Sequence, residues 1–436
     1  MKVSVIGTGY VGLTVACLAD FGHNVVLIGR TQDKIDLINQ GVCPIYEPGL
    51  DEILKRSIGK QNLKATNDYN EILDSDVVFI CVGTPSKEDG SIDLSQIEDA
   101  SRGVGEKLGK TSKYIVVAVK STVSPGTTKN VVISILEKYS GKKSGFDFGV
   151  CMNPEFLREG AGVQDFLYPD KIVIGGIDDR SKKVLFDLYM SLDQKYPRVL
   201  TDVTTAEMIK YAQNSALALR ISFINEIANV CEKFGVDVYD IARAIGLDSR
   251  IGPKFLNAGI GFGGSCFPKD VKGLIAVSES VSVEPKILKA TIEVNEKQPY
   301  RAVELAKEVV GNLNGKRIAV LGLAFKPDTD DMREARTIPV IQSLLSHGAK
   351  IKAYDPQAIS NAKEIFQDSI EYCSTKEECL NGADLCMVLT EWDEFRNMDL
   401  SLVKCPIIDG RRAINPVKAK EFGIVYKGIG WGGNYG

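Results

Sequence analysis

The residue best placed to do chemistry in this chain is a cysteine set in glycine. Gly259, Gly261, Gly263 and Gly264 precede Ser265 and Cys266, and Phe267, Pro268, Lys269 and Asp270 follow. Residues without a Cβ let backbone come close to a ligand. Pro268 suits the first turn of a helix. Cys266 would then stand at a helix N-terminus with Lys269 nearby, and both features favour the nucleophilic thiolate. Lys210 and Asn214 are four residues apart, so on a helix they share a face. A lysine among Met208, Ile209, Tyr211 and Ala212 is costly to bury unless it is paired or used, the alternative being a snorkelling side chain. Asn153, Pro154, Glu155, Phe156, Leu157, Arg158, Glu159 and Gly160 follow a strand-like run. Ligands bind at the carboxyl ends of strands in doubly wound sheets, which makes Glu155 and Glu159 candidate site residues. An acidic helix start is the alternative.

A second constellation reads as a cofactor site. Gly7, Gly9 and Gly12 form G-x-G-x-x-G directly after the apolar run Lys2–Ile6. Gly7 permits the tight turn, Gly9 the approach of a pyrophosphate and Gly12 close helix–strand packing. At the end of the next strand an acid would hold the ribose 2′-hydroxyl of NAD. Gly29, Arg30 and Thr31 stand there instead. Gly29 makes room, Arg30 can pair with a 2′-phosphate and Thr31 can donate to it, so NADP is favoured over NAD. The alternative is a solvated Arg30, with Asp33 or a backbone group serving the ribose of NAD.

The elements that must hold these residues follow from periodicity. Buried-strand candidates at 2–6, 25–28, 77–82, 115–119, 148–151 and 172–175 alternate with helical patterns, which predicts a parallel doubly wound sheet. From Thr204 to Phe234 there is neither Pro nor Gly. Thr204 and Glu207 have capping-box spacing, and Gly235 is a C-terminal stop. That predicts one long helix, apolar at Ile209, Ala212, Ala216, Leu217, Ile221, Ile224, Ala228 and Cys231, and buried inside the chain or in a dimer interface. Further helices reach about Val310. Strand, helix and strand then recur at 316–321, 339–346 and 350–354, a weak internal repeat without the glycine motif. The expected fold is α/β: two Rossmann-like doubly wound domains joined by a long central helix and a small helical domain. Residues 1–200 would bind NAD(P), 201–310 would form the helical dimerisation domain, and 311–436 would form the second Rossmann-like domain.

Composition limits the alternatives. The 436 residues carry 53 Lys+Arg against 57 Asp+Glu, with no basic stripe to mark a nucleic-acid partner. Apolar runs are too short to span a bilayer, and the strand starting at Lys2 leaves no room for a signal peptide. None of the 10 Cys forms C-x-x-C or zinc spacing, so no metal is expected. The chain reads as a reduced, cytoplasmic protein. The 2 His, His23 and His347, each sit beside a glycine and read as turn residues, leaving base chemistry to Lys, Asp, Glu, Cys or water.

In this order the pieces resemble the UDP-glucose/GDP-mannose dehydrogenase family. The resemblance runs from the first strand to about Tyr426. It rests on Gly7–Gly12, Pro44–Leu50, Gly83-Thr84-Pro85, Ser121-Thr122, Asn153–Gly160, Glu207–Asn214, Gly261–Asp270 and Ala324–Arg333. The Glu155 and Cys266 segments look like the UDP-glucose 6-dehydrogenase branch, with UDP-galactose and GDP-mannose oxidation as alternatives and a non-catalytic nucleotide-sugar sensor as another class. The resemblance implies four-electron oxidation of a sugar C6 alcohol to a carboxylate, through a thiohemiacetal and a thioester on Cys266. Lys210 and Asn214 would stabilise the alkoxide and oxyanion, and Asp270 would hold a water or share a proton with Lys210. Thr122 and Glu155 would position water, with Glu155 as base. Tyr10, Val11, Lys34, Gly83, Thr84, Pro85, Thr122, Glu159, Lys269 and Arg333 would line the cofactor side. The UDP-sugar would meet Glu155, Phe156, Leu157, Arg158, Glu159, Lys210 and Asn214. It would also meet Phe255, Leu256, Asn257, Ala258, Gly259, Gly263, Phe325 and Lys326. Arg250 would reach the substrate of the partner in a homodimer built on helix 204–234. Departures from the family pattern are Gly29 in place of an acid, Ala216, Arg220 and the approach Ala258-Gly259-Ile260 to the cysteine loop.

Overall fold

The structure is a computed structural model that describes residues 1–193 and 195–432. Two compact units divide it, Met1–Gln213 and Asn214–Gly436.

The first unit is built on eight strands: β1 (Lys2–Ile6), β2 (Asn24–Ile28), β3 (Leu63–Thr66), β4 (Val77–Ile80), β5 (Val116–Val119), β6 (Gly149–Met152), β7 (Ile172–Gly176) and β8 (Arg198–Thr201). Their order is β3-β2-β1-β4-β5-β6-β7-β8. Every residue of β4, β5 and β6 is buried, as a sheet covered by helices on both faces requires. The expected strands are present, with one difference: β7 runs antiparallel to β6. Between them the chain forms only the short helix Gly162–Leu167. It turns back without a full crossover, and antiparallel neighbours need none. The strand order switches between β1 and β4, and at such a switch point doubly wound sheets open their ligand crevice.

The second unit carries β9 (Arg317–Leu321), β10 (Lys350–Tyr354), β11 (Glu371–Tyr372), β12 (Leu385–Val388), β13 (Ile407–Asp409) and β14 (Tyr426–Gly428). All are parallel, in the order β11-β10-β9-β12-β13-β14. The internal repeat extends to detail. Gly7 after β1 has φ +118° and an added Cβ would lie 2.4 Å from the Cys81 carbonyl oxygen. Gly322 after β9 has φ +98° and its added Cβ would lie 2.5 Å from Thr390 Cβ. The second copy diverges at the next step. Buried Asp355, just beyond β10, accepts the amides of Leu323 at 2.7 Å and Ala324 at 3.1 Å, and the Trp392 indole at 3.1 Å. A resident carboxylate thus holds the amides that a pyrophosphate would take.

One helix, Val203–Phe234, carries residues of both units. It ends at Gly235 with φ +71°, as expected. Its start differs from the capping-box reading. Asp202 caps it, accepting from the Thr205 amide at 2.9 Å. Glu207 instead reaches the turn after β5 and accepts the amides of Gly126 (2.5 Å) and Thr128 (2.7 Å). Those buried donors outcompete a solvent-facing cap. The helix after the glycine motif also differs. It is α-helical over Tyr10–Val15 and continues as a 3-10 segment over Ala16–Phe21. Both histidines sit at turns as read: His23 follows Gly22, and His347 caps the helix Thr337–Ser346. Among the described residues no helix is long and apolar enough to cross a membrane, and no acidic, Cys or His cluster could hold a metal.

Candidate active site

In the first unit the nucleotide loop separates its three glycines by function. An added Cβ at Gly12 would stand 2.0 Å from the Gly7 carbonyl oxygen, so this glycine is required by packing. At Gly9 the same atom would meet nothing within 4 Å. The space over Gly9 is therefore open where a pyrophosphate has to approach, and the loop fits a dinucleotide. Val11 and Lys34 are half-buried, Thr84 is buried, and Gly83 and Pro85 are exposed. Gly29 is required by its neighbour, because a Cβ there would lie 2.7 Å from Thr8 Cγ2. Arg30 is exposed and donates weakly to Gln96 Oε1 at 3.3 Å. Thr31 is the N-cap of the helix Gln32–Asn39, yet its hydroxyl makes no cap bond.

Glu47 lies in the Pro44–Leu50 motif, to which the sequence reading assigned no role. It is buried, and its carboxylate accepts the amides of Gly160 (2.7 Å) and Gly162 (2.6 Å). This fixes the segment that ends the Glu155–Glu159 run. Tyr10 donates to the Arg158 carbonyl at 2.8 Å. Burial pushes its phenol far above the ordinary range, and the Glu47 carboxylate adds to that. Arg158 itself is ion-paired to Asp165 at 2.6 Å. Glu159 and Leu157 are half-buried.

At the carboxyl ends of β5 and β6 the unit buries an ion pair. Lys210 Nζ meets Glu155 Oε1 at 2.7 Å, with both side chains almost inaccessible. Glu155 Oε2 accepts the Leu157 amide at 2.7 Å. Burial alone would raise the Glu155 carboxyl, but the Lys210 ammonium and these hydrogen bonds hold it below its ordinary value. Phe156 lies beneath two ammonium groups, Lys171 at 4.2 Å and Lys210 at 5.6 Å from its centroid. Thr122 is half-buried beside Ser121, which donates to the Val82 carbonyl at 2.6 Å. Lys120, also unforeseen, is buried at the end of β5 and donates to Asn153 Oδ1 at 2.9 Å.

In the second unit Cys266 is the N-cap of the helix Phe267–Ser280, with Pro268 in its first turn, as the sequence suggested. The thiol is half-buried and lies 3.5 Å from the Ser265 hydroxyl. One turn on, buried Asp270 accepts from Asn214 Nδ2 and from Lys269 Nζ, each at 2.6 Å. The structure pairs Asp270 with Asn214 and Lys269, and Lys210 with Glu155.

The glycines before Cys266 serve packing more than was expected. An added Cβ would lie 2.4 Å from the Glu334 carbonyl oxygen at Gly263 and 2.8 Å from that of Gly410 at Gly259. At Gly264, with φ +82°, it would strike the Phe325 ring at 2.7 Å. Three buried amide side chains hold this run. Asn225 accepts the Gly259 amide (2.8 Å), Gln298 donates to the Gly259 carbonyl (3.0 Å), and Asn295 accepts the Phe262 amide (2.7 Å). Gly264 N–H donates to the Arg333 carbonyl at 2.9 Å, while the Arg333 guanidinium pairs with Asp331 at 2.7 Å. Phe255 takes φ +62° and its ring stands 6.1 Å from that of Phe267. Leu256 and Ala258 are buried and Asn257 is exposed. Lys326 lies over the Phe325 ring at 5.8 Å. Arg250 is 86% exposed and pairs with Asp248 at 2.6 Å.

The chain matches three family profiles in sequence: "UDP-glucose/GDP-mannose dehydrogenase family, NAD binding domain" over 1–193, "central domain" over 204–297 and "UDP binding domain" over 319–416. It is 47% identical over 421 residues to UDP-glucose 6-dehydrogenase AglM of Haloferax volcanii, covering 95% of this chain and 97% of the relative. It is 43% identical to UDP-glucose 6-dehydrogenase TuaD of Bacillus subtilis, covering 98% and 93%. Among solved structures, a UDP-glucose dehydrogenase from the hyperthermophilic archaeon Pyrobaculum islandicum superposes with a TM-score of 0.91 at 39% identity, covering 99% of this chain and 98% of that one. The UDP-D-ManNAc dehydrogenase of Pyrococcus horikoshii gives 0.87 at 31% identity, with 99% and 100% covered.

Proposed function

The chain belongs to the UDP-glucose/GDP-mannose dehydrogenase family, and from that membership we propose that it oxidises UDP-glucose at C6 to UDP-glucuronate. Per sugar the balance is one water consumed, two nicotinamide cofactors reduced and three protons released. The observation that carries the reading is Cys266 at a helix N-terminus, one turn before buried Asp270, which accepts from buried Asn214 and half-buried Lys269.

When bound, the nicotinamide cofactor supplies the hydride acceptor for both oxidation stages. The loop shaped by Gly7 and Gly12 and open over Gly9 would hold its pyrophosphate, and Tyr10, Val11, Lys34, Thr84, Glu159 and Arg333 would complete its surroundings. All other steps belong to this chain. Lys210, charged and buried, stabilises the C6 alkoxide. The Cys266 sulfur bonds to the C6 aldehyde carbon, and the carbonyl oxygen becomes the hydroxyl of a thiohemiacetal. A free aldehyde has no good hydride to lose, whereas the thiohemiacetal does, and loss of that hydride together with its hydroxyl proton leaves a thioester on Cys266. Water then adds to the thioester, its proton passes to Glu155, and the C–S bond breaks to return the thiol. Lys210 and Asn214 hold the oxyanion of that stage, and Thr122 orients the water. Phe156, Phe255, Gly259, Gly263 and Lys326 bind the UDP-sugar. Domains at 1–200, 201–310 and 311–436 bind cofactor, form the dimer and bind UDP respectively.

Two finer readings accompany this one. Gly29, Arg30 and Thr31 favour NADP: Arg30 is exposed, and the Thr31 hydroxyl is not engaged in capping its helix. The chain works as a homodimer through helix 204–234, with Arg250 reaching the partner's substrate. The test mixes limiting UDP-glucose with excess NADP, and separately with NAD, and counts reduced cofactor at completion. Two equivalents per sugar are expected, formed faster with NADP. No reduction with either removes UDP-glucose and passes the assay to UDP-galactose and GDP-mannose. A kcat/KM for NAD equal to or above that for NADP rejects the Arg30 argument alone.

A further inference from the structure

The mechanism gives the buried charge of Lys120 no task. Lys120 follows β5 directly, with its amide on the Ile80 carbonyl at 2.9 Å, and its side chain is only 4% exposed. Its hydrogen-bond partners are neutral: Asn153 Oδ1 at 2.9 Å and the Tyr189 hydroxyl at 3.4 Å. Tyr189 also donates to Asn153 Oδ1 at 2.6 Å, and Asn153 Nδ2 donates to the Val173 carbonyl at 2.7 Å. Asn153 is thereby held at both ends of its amide, two residues ahead of Glu155. The Phe79 and Tyr189 rings flank the ammonium at 5.8 and 5.9 Å. Burying an ammonium against neutral partners is expensive, and a leucine or methionine would pack this place at less cost. The titratable groups that face it are Cys81 beyond β4, Glu155 beyond β6, Tyr189 and Lys210. Burial brings the Lys120 ammonium down to about 8, and Glu155 acts in the opposite sense.

We infer that Lys120 is a positioning residue for Glu155: it anchors the Asn153–Glu155 turn, and its charge keeps the buried Glu155 ionised for the hydrolytic half of the reaction. The inference rests on the reading of Glu155 as the group that takes the proton of the attacking water. In that role a protonated Glu155 is inactive, and each nearby cation lowers the pH at which it becomes so.

The test uses the full chain with Lys120→Met, Lys120→Gln and, as reference, Glu155→Gln. Lys120→Gln keeps a hydrogen-bonding group and removes the charge, and serves if Lys120→Met does not fold. Three quantities are read: kcat and KM for UDP-glucose from about pH 4 to about pH 9, which brackets a carboxylate acid limb, the intact mass of acid-quenched enzyme, and the thermal midpoint. Loss of the charge is expected to move the acid limb of kcat up by about one pH unit, a shift set by one charge near a buried carboxylate. KM should stay within about twofold, and acyl-enzyme on Cys266 should accumulate at low pH and disappear at high pH. A uniform loss of kcat across pH, without acyl-enzyme, would mean a structural role and overturn the inference. If Glu155→Gln itself accumulates no acyl-enzyme, the role of Glu155 fails. In that case an unmoved acid limb in Lys120→Gln also overturns the inference, whereas a moved limb still ties Lys120 to a buried base.

Discussion

The helix-capping place of Cys266 and the buried, paired state of Lys210 were legible because their residue types are unusual for their surroundings: a thiol in a glycine run, and a lysine in an apolar helix. Replacing the thiol tests the covalent route. Cys266→Ala should lower UDP-glucuronate formation by at least about 1,000-fold, the scale lost when a nucleophile is removed from its constellation. Product counted by chromatography at near wild-type rate would end the thioester mechanism. Lys210 makes a prediction about stability as well. In the wild-type fold Glu155 titrates below its ordinary value, so it contributes stability above the unfolded value, lost as pH falls through the folded one. Lys210→Met removes the opposing charge, and burial then raises Glu155. The sign reverses, so the variant should lose stability as pH rises past the ordinary carboxylate range. The expected deficit is about 3 to 5 kcal/mol at neutral pH, less near pH 4, read from urea unfolding at both. A deficit independent of pH would contradict the pairing. Glu47, Lys120, Asn225, Asn295 and Gln298 were not legible. They are ordinary polar residues in the sequence, and their meaning lies in contacts such as Glu47 with Gly160, 113 positions apart.

At the scale of elements, strands read well because a parallel sheet buries both faces of short β-branched runs, and that composition is local. The direction of β7 did not read, since the Val150–Val173 stretch gives composition without telling which way the chain re-enters the sheet. Nor did the cap at Asp202, because the competition for Glu207 is decided by amides 79 and 81 residues away. The glycine loop shows the same division in one turn. G-x-G-x-x-G announces three glycines as equals, whereas the fold uses Gly7 and Gly12 for packing and leaves Gly9 open. Two alanine variants separate these uses. Gly12→Ala forces a Cβ onto the Gly7 carbonyl and should cost more than about 2 kcal/mol, visible as a fall in the thermal midpoint. Gly9→Ala should leave the midpoint unchanged within about 0.5 kcal/mol and weaken dinucleotide binding at least about tenfold by calorimetry. Equal thermal losses in both variants would show that Gly9 is not held open for a ligand.

For the whole molecule, the long helix raises the question of what covers its outer face. It was expected to be apolar over much of its circumference. Ile224, Ala228 and Cys231 are indeed buried within the second unit, yet Ala212 and Ala216 are exposed. Over the part of the helix in the second unit, the larger apolar residues left outside are Leu219 (39% exposed), Phe223 (49%), Val230 (50%) and Phe234 (78%). Their spacings of four, seven and four place them along one stripe of the helix. Single exposed apolar residues are ordinary, but a continuous stripe of them on one helix is the pattern of an interface. A second copy of the chain offers the same stripe, and the twofold pairing of identical surfaces closes without leaving an edge. Wild-type protein at micromolar concentration should therefore sediment as a single species of twice the chain mass. Phe223→Glu places a charge in the middle of the stripe, where burial without a partner is costly. It should shift the equilibrium to monomer while far-UV circular dichroism stays unchanged. Activity then decides how far the interface serves catalysis: if Arg250 acts across it, monomeric Phe223→Glu should show a raised KM for UDP-glucose that Arg250→Ala, still dimeric, reproduces. A wild-type monomer would refute the interface, and a fully active Phe223→Glu monomer would confine the reaction to one chain.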